Sequence, residues 1–97
     1  MEIYSYIEFV ADQMAELTGN EVKMLLFLLN EMNKRYWRPV TMPESTILKA
    51  LNISRPTFFE IRERLHSKQL IFYQSNGRYA PTYALHFHNV RRKALDE

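Results

Sequence analysis

The chain has 97 residues, which is enough for one compact domain and too few for two. Its 46% hydrophobic and 25% charged residues exclude a disordered or collagen-like chain, and the absence of cysteine excludes disulfides, zinc-thiolate sites and thiol nucleophiles. The longest apolar run, residues 24–29, is far shorter than the roughly 20 residues of a membrane-spanning helix. The N-terminus lacks the basic start of an export signal. We therefore expect a cytoplasmic protein with no membrane partner.

The charges are distributed unevenly along the chain. Residues 1–33 carry six acidic side chains against one lysine, a net charge of −5, whereas residues 34–97 carry twelve Lys/Arg against five acids, a net charge of +7. Such segregation produces a local positive field that attracts a polyanion to the C-terminal part. Alternatively, solvent-exposed helix faces simply carry different numbers of acidic and basic residues, with no partner involved. Nucleic acid is thus one candidate partner.

Two helices are predicted in the first third of the chain. The first spans residues 2–16, because apolar side chains recur there at alternating steps of four and three: Ile3, Ile7, Val10, Met14 and Leu17. The second follows Thr18, which has Glu21 three residues later, the spacing of a capping box; Asn20 is an alternative cap. Its apolar face is predicted to comprise Val22, Leu25, Leu26, Leu29 and Met32, widened by Met24, Phe27 and Leu28.

Pro39 ends the second helix, and residues 40–42 form a short extended piece. A third helix is predicted over residues 44–51 and a tight turn over residues 52–54. A fourth helix follows, with Ser54 as its N-cap and Pro56 in its first turn, and runs to about residue 68. Residues 70–73 and 79–85 are predicted strands, joined by a hairpin turn at residues 75–78 with the Asn76-Gly77 signal.

This order of elements is typical of a winged helix-turn-helix. The predicted fold class is therefore mainly α with a small β-hairpin, a winged helix-turn-helix with an extra N-terminal helix. Residues 17–85 form the domain, residues 1–16 an N-terminal helix for packing or self-association, and residues 86–97 a charged tail. In such a domain the fourth helix enters the major groove of DNA, and the hairpin tip touches the backbone or minor groove.

The exposed side of the fourth helix supplies the candidate DNA contacts. Successive residues of a helix are 100° apart around its axis, and Phe58, Ile61 and Leu65 are expected to face the core. The opposite side then contains the candidate contacts and also Pro56, Glu63 and Ser67. Two of these side chains have an alternative role within the chain. Arg64 can form an ion pair with Glu60 along the helix, and Phe59 can equally pack against the hairpin. The predicted DNA-binding residues are Ser54, Arg55, Thr57, Phe59, Glu60 and Arg64, with Asn76 and Arg78 at the hairpin.

Three segments resemble a known family: LTGNEVKMLLFLLNEMNKRYW, LNISRPTFFEIRERLHSKQLI and GRYAPTYAL. Together they are similar to the N-terminal winged-helix domain of phage replisome organisers and related DnaD-like replication initiators, over about residues 17–85. Leu17-Thr18, residues 51–57 and residues 83–85 match the family's opening, helix-turn-helix and closing strand. Relatives tend to carry basic residues along the exposed side of the recognition helix, whereas this sequence places Glu60 and Glu63 there.

The resemblance implies a role and partners. It implies binding of double-stranded DNA at a replication origin in a bacterial or phage-infected host cell, self-association, and help in recruiting a helicase loader or a helicase. Because single winged helices commonly act as dimers, we expect a homodimer whose seam contains Ile3, Ile7, Val10 and Met14. A protein-interaction module that bridges replication proteins and a transcriptional regulator are the alternatives.

We expect no enzymatic activity and no cofactor. The sequence contains no nucleophile elbow, phosphate loop or paired-carboxylate motif. His86 and His88 would share one side of an extended strand, but no third ligand stands at a suitable spacing, so no metal site is predicted.

Overall fold

The computed structural model describes residues 14–85 and, before them, residues 8, 10 and 11. Over residues 14–85 the chain forms three α-helices, α1 (Gly19–Lys34), α2 (Glu44–Leu51) and α3 (Arg55–Ser67), and three strands, β1 (Val40–Thr41), β2 (Ile71–Asn76) and β3 (Tyr79–Leu85). A 3-10 turn at Met14–Glu16 precedes α1. The prediction of a mainly helical domain with a small β-hairpin is confirmed, and β1 extends the hairpin to a three-stranded antiparallel sheet.

The N-terminal helix predicted over residues 2–16 lies largely outside the described residues. Glu8, Val10 and Ala11 are helical, but residues 14–16 form a 3-10 turn rather than the last turn of an α-helix. Val10 is 5% exposed and belongs to the hydrophobic core. At this position, therefore, the apolar stripe packs within the chain.

Helix α1 begins at the predicted capping box. Thr18, not Asn20, is the N-cap: its hydroxyl accepts from the Glu21 amide at 3.2 Å, and the Thr18 amide donates to the Glu21 carboxylate at 3.4 Å. The helix buries a stripe of Glu21, Met24, Leu25, Leu28, Leu29 and Met32. Leu26 was predicted to lie on this stripe, but its side chain is 42% exposed. It lies 100° past Leu25 and about 200° from Leu28, on the outer side of the helix.

Two consecutive non-glycine residues after α1 adopt the left-handed conformation. Tyr36 has φ 55° and Trp37 has φ 65°. The Trp37 amide donates back to the Met32 carbonyl at 2.7 Å, as in a Schellman helix end, where glycine usually occupies the position of Tyr36. Trp37 packs against the core, whereas Tyr36 is 87% exposed. The left-handed conformation at Tyr36 therefore costs roughly 1–2 kcal/mol without burying the ring.

Replacing Tyr36 with glycine should raise the free energy of unfolding by about 1 kcal/mol, because glycine adopts a positive φ at no steric cost. The melting temperature should rise by about 4–8 °C for a domain of this size, as measured by thermal denaturation followed by circular dichroism. Tyr79→Gly is the matched control, since Tyr79 is an exposed tyrosine in a strand and glycine there should destabilise the protein. A lower melting temperature for Tyr36→Gly would contradict the prediction.

Helices α2 and α3 are joined by the predicted tight turn. Asn52 ends α2 in the left-handed conformation, φ 54°, which asparagine tolerates better than most residues. Ser54 caps α3, and its hydroxyl oxygen accepts from the Thr57 amide at 3.4 Å. Phe58, Ile61 and Leu65 are buried as predicted, so the opposite side of α3 faces outward.

The three strands form an antiparallel sheet in the order β1-β3-β2. The two central residues of the hairpin turn are Gly77 and Arg78, because Asn76 pairs with Tyr79; the Asn76-Gly77 signal predicted the turn one residue too early. Gly77 has φ +67°, which suits the first central position of a two-residue turn. The register shifts between Gln74 and Asn76, opposite Pro81, which has no amide hydrogen for the ladder.

An ion pair between Lys68 and Glu21 ties the end of α3 to the start of α1. Glu21 is 1% exposed, and the Lys68 ammonium donates to its carboxylate at 2.7 Å and to the Glu16 carbonyl at 3.1 Å. Burial by itself would raise the pKa of Glu21, but the hydrogen bonds from Lys68 and Thr18 and the charge of Lys68 outweigh it and lower the pKa. The carboxylate is therefore charged although it is buried.

Candidate functional site

A cleft of about 490 Å³ lies between α2, α3 and the hairpin. One wall is formed by the first residues of α2 and by α3, and the other by the hairpin around its turn. Its charged lining residues are three arginines and one glutamate: Arg55, Arg62, Arg78 and Glu44. The cleft thus combines the start of α3 with the hairpin tip in one site with an excess of positive charge.

Glu44, in the first turn of α2, holds two of these arginines. Its Oε2 accepts from Nη1 of Arg55 at 3.2 Å, and its Oε1 accepts from Nη1 of Arg62 at 3.1 Å. The Arg55 side chain remains 58% exposed, whereas that of Arg62 is 13% exposed. The same carboxylate therefore orients one arginine toward solvent and anchors another inside the protein.

Arg62 fixes the cleft wall to the core. Its guanidinium carbon lies 4.2 Å from the centre of the Tyr73 ring and 5.0 Å from that of Phe59, and Nη1 donates to the Tyr83 hydroxyl at 3.4 Å. Burial by itself would lower the pKa of Arg62, but the hydrogen bonds to Tyr83 and Glu44 outweigh it and raise the pKa. Arg62 is thus a permanent positive charge with a structural role.

Arg78 lies on the opposite wall at the second central position of the hairpin turn. It is exposed, and its guanidinium carbon lies 6.0 Å from the centre of the Tyr79 ring. Tyr79 is 72% exposed. The turn geometry thus presents a cation and an aromatic ring across the cleft from the start of α3.

The middle of α3 presents a different surface. Glu60 and Arg64 pair with each other one turn apart, the ion pair that the sequence offered as the alternative to DNA contact. Glu63 accepts a hydrogen bond from the Tyr73 hydroxyl, which raises the pKa of Tyr73 together with burial. The outward side of this stretch carries the carboxylates of Glu60 and Glu63 and the guanidinium of Arg64, because Arg62 lies in the cleft, and this side therefore repels phosphate.

Four of the other predicted contact residues are engaged within the chain. The Ser54 hydroxyl donates to that of Thr57 at 2.9 Å, and Thr57 is half-buried rather than exposed. The Asn76 side chain donates to the Ala80 carbonyl at 2.7 Å and to the Thr82 hydroxyl at 3.0 Å, which stabilises the irregular part of the hairpin. Phe59 is 37% exposed and packs against Phe58 and Arg62. Of the predicted contacts, Arg55 and Arg78 remain most available to a ligand.

Of the four predicted self-association residues, the structure describes the side chain of Val10. Ile3 and Ile7 lie outside the described residues, and nothing is described of the side chain of Met14. Val10 is buried in the core of the chain itself, which removes it from a seam between two copies.

Sequence reasoning missed Glu44 and Arg62 as parts of the cleft. Glu44 was interpreted only as part of a favourable helix start, and Arg62 was weighed evenly between a DNA contact and a residue beside the core. Glu44 stands 11 residues from Arg55 and 18 residues from Arg62 in the chain, so no local pattern links them. Only the tertiary arrangement, in which α2 and α3 each pack against α1, brings them together.

Within the described residues, no group of three or more His, Asp or Glu side chains is arranged to hold a metal ion. His86 and His88 lie outside those residues. No helix in the described part of the chain is long and apolar enough to cross a bilayer.

Comparison with known proteins gives no relative. No family model matches the chain, and neither a curated protein nor a solved structure shows significant similarity to it.

Proposed function

We propose that this protein is a winged helix-turn-helix domain that binds double-stranded DNA. The proposal is supported by the order of elements, in which α2, a three-residue turn and α3 are followed by the β2-β3 hairpin. Strand β1 completes the sheet by pairing with β3. In this arrangement α3 is the recognition helix and the hairpin is the wing.

The observation that carries the proposal is the cleft shared by Arg55 and Arg78. These two exposed arginines come from the start of the recognition helix and from the tip of the wing, and they line one cavity. A DNA backbone that lies along the cleft meets both guanidinium groups, which neutralise phosphates and release counterions. The buried Arg62 adds a further positive charge behind them.

The charges on α3 favour contact through its first turn. Arg55 stands at the first position of the helix, whereas Glu60 and Glu63 occupy the outward middle. An orientation with the start of α3 in the groove keeps these carboxylates away from the phosphates. A glutamate that does enter the major groove can accept from a cytosine amino group.

The proposed biological role rests on the resemblance to replisome organisers and DnaD-like initiators. We place the domain at a replication origin, where it binds as a homodimer and helps to recruit a helicase loader or helicase. A transcriptional regulator would use the same DNA-binding surface, since the fold does not determine which process the bound protein then controls.

A second candidate function is favoured by the outward middle of α3. Glu60, Glu63 and the partly exposed Phe59 form a surface that suits a protein partner better than a phosphate backbone. In this alternative the domain bridges replication proteins, and α3 contacts a protein instead of DNA.

The first experiment is a titration of the purified protein with random and origin-derived duplexes over a series of salt concentrations, with light scattering in the same buffers. A steep salt dependence with preference for one duplex is the result expected for sequence recognition by α3 and the wing. If the folded protein binds no duplex at low salt, the protein-interaction function becomes the better interpretation. Light scattering tests the proposed dimer independently.

Replacing Glu44 with glutamine should strengthen duplex binding by roughly two- to fivefold at low salt, because Arg55 loses its ion pair and the cleft gains one positive charge. The measurement is fluorescence anisotropy with a labelled duplex. Glu60→Gln makes the same charge change on the middle of α3 and is the control. An unchanged affinity for Glu44→Gln would show that Arg55 does not meet the backbone.

A further inference from the structure

The end of α1 and the residues that follow it, residues 34–38, have a combination of features that the proposed DNA interface does not use. We call this segment the 34–38 loop. Its Tyr36 is 87% exposed, the most exposed of the large hydrophobic side chains in the described residues. The ring stands on a backbone with φ 55° and is followed by Trp37 with φ 65°.

Among the described residues, no contact of the Tyr36 side chain explains a tyrosine at this position. The helix end formed by the Trp37 amide and the Met32 carbonyl needs a left-handed residue there, and glycine meets that need without strain. Tyr36 gains no burial in exchange for its strained backbone. Strain of this kind clusters at functional sites.

Three cationic residues flank Tyr36 in the chain: Lys34, Arg35 and Arg38. Lys34 and Arg35 both pair with the Glu31 carboxylate, at 3.4 and 2.6 Å, so two cations share one anion. Arg38 is exposed, and its guanidinium has no hydrogen bond or ion pair with any residue that the structure describes. The loop therefore has a net positive charge and at least one guanidinium that is free to bind an anion.

The 34–38 loop is separate from the cleft. The loop leads into β1, whose Val40 pairs with Tyr83 of β3. From there β1 runs toward the hairpin turn, since the Met42 amide donates to the Pro81 carbonyl. The loop thus lies at the end of the sheet opposite Gly77 and Arg78. A ligand on the loop need not touch the cleft.

We propose that the 34–38 loop is a binding site for single-stranded nucleic acid, with an unstacked base on the Tyr36 ring and neighbouring phosphates at Arg38 and Arg35. Exposed aromatic rings among cations are the usual platform for single strands, because every base has a face that can stack. A duplex keeps its bases stacked on one another and cannot offer one to Tyr36. The proposal goes beyond duplex binding at the cleft and does not depend on it.

The test is a titration with a labelled oligothymidylate of about 12 nucleotides, within the range of known single-strand sites. Anisotropy gives the affinity, and Trp37, the only tryptophan of the chain, reports contact at the loop by its fluorescence. Tyr36→Gly should weaken binding by roughly tenfold or more, whereas Tyr36→Phe keeps the stacking ring and should stay within about threefold of the wild type. Arg38→Ala should reduce the salt slope by about 0.7.

Three controls separate this site from folding and from the cleft. Tyr36→Gly is expected to melt no lower than the wild type, so its loss of binding cannot come from unfolding. Tyr79→Ala removes an exposed tyrosine at the other end of the sheet and should leave the oligothymidylate affinity unchanged. The Arg55→Ala/Arg78→Ala variant should also retain it, which distinguishes failure of this proposal from failure of the duplex proposal.

Several results would overturn the proposal. The first is that the protein does not bind oligothymidylate at low salt. The second is that Tyr79→Ala loses binding while Tyr36→Gly retains it, because the single strand would then bind at the hairpin and not at the loop. A polyglutamate peptide serves as an acidic protein-like competitor. If it binds as tightly as the oligonucleotide and neither affinity changes in Tyr36→Gly, the loop attracts negative charge without stacking a base, and the proposal fails.

Discussion

Replacing Arg55 and Arg78 together with alanine should lower the affinity for duplex DNA by roughly 10- to 100-fold near 0.1 M salt. The slope of log affinity against log salt concentration should also fall by about two, because each lost phosphate contact releases about 0.9 fewer counterions. Both side chains are exposed and line the same cleft, so the fold should tolerate their truncation. Anisotropy titrations with one labelled duplex at several salt concentrations measure both quantities.

The matched control is the double variant Lys34→Ala/Arg38→Ala, which removes the same charge at the opposite end of the sheet. It should change duplex affinity only slightly at the same salt concentration, because exposed charges beyond a Debye length of about 10 Å are largely screened. Equal losses in the two double variants would mean that only net charge matters, and the cleft would no longer be the interface. Arg64→Ala tests the middle of α3, and a strong loss there would indicate that this stretch also enters the groove.

The largest expected effect of a polar substitution on stability is at Glu21. Glu21→Ala should lower the free energy of unfolding by about 3 kcal/mol, because it removes one half of the capping box and the buried partner of Lys68. Urea denaturation at pH 7 measures the change. Glu60→Ala is the control, since its ion pair with Arg64 is exposed and should contribute less than about 1 kcal/mol. A loss at Glu21 no larger than that at Glu60 would show that the tie between α1 and α3 is unimportant.

The same carboxylate should make stability depend on pH in the acid range. The pKa of Glu21 is lower in the folded protein than the ordinary value of 4.5, so the unfolded chain binds its proton first as the pH falls. The contribution of Glu21 is complete above about pH 4.5 and is lost as the pH falls through the folded pKa. In Glu21→Gln the stability should therefore fall less steeply with acid. Part of the slope should remain, because the pKa of Glu31 is also lowered, chiefly by its hydrogen bond with Arg35.

The elements that the sequence determined by itself are those held by contacts within one or two helical turns. The capping box of Thr18 and Glu21, the bounds of α2 at Glu44–Leu51 and the Ser54 cap were predicted from neighbours in the chain and are confirmed. The inward side of α3 is a consequence of the helical period alone. Arg55 and Arg78 were selected in the same way, from positions next to a cap and a turn.

The tertiary structure alone decided how these parts meet. Lys68 and Glu21 are 47 residues apart in the chain, and Glu44 reaches Arg55 and Arg62 across 11 and 18 residues. Each ion pair therefore exists only because α2 and α3 both pack against α1. The shift of the hairpin turn by one residue depends on the pairing of β2 with β3. Local hydrogen bonds and periodicity specify an element before it folds against others. The partner of a charge, and therefore whether that charge is free to bind a ligand, is specified only when the elements come together.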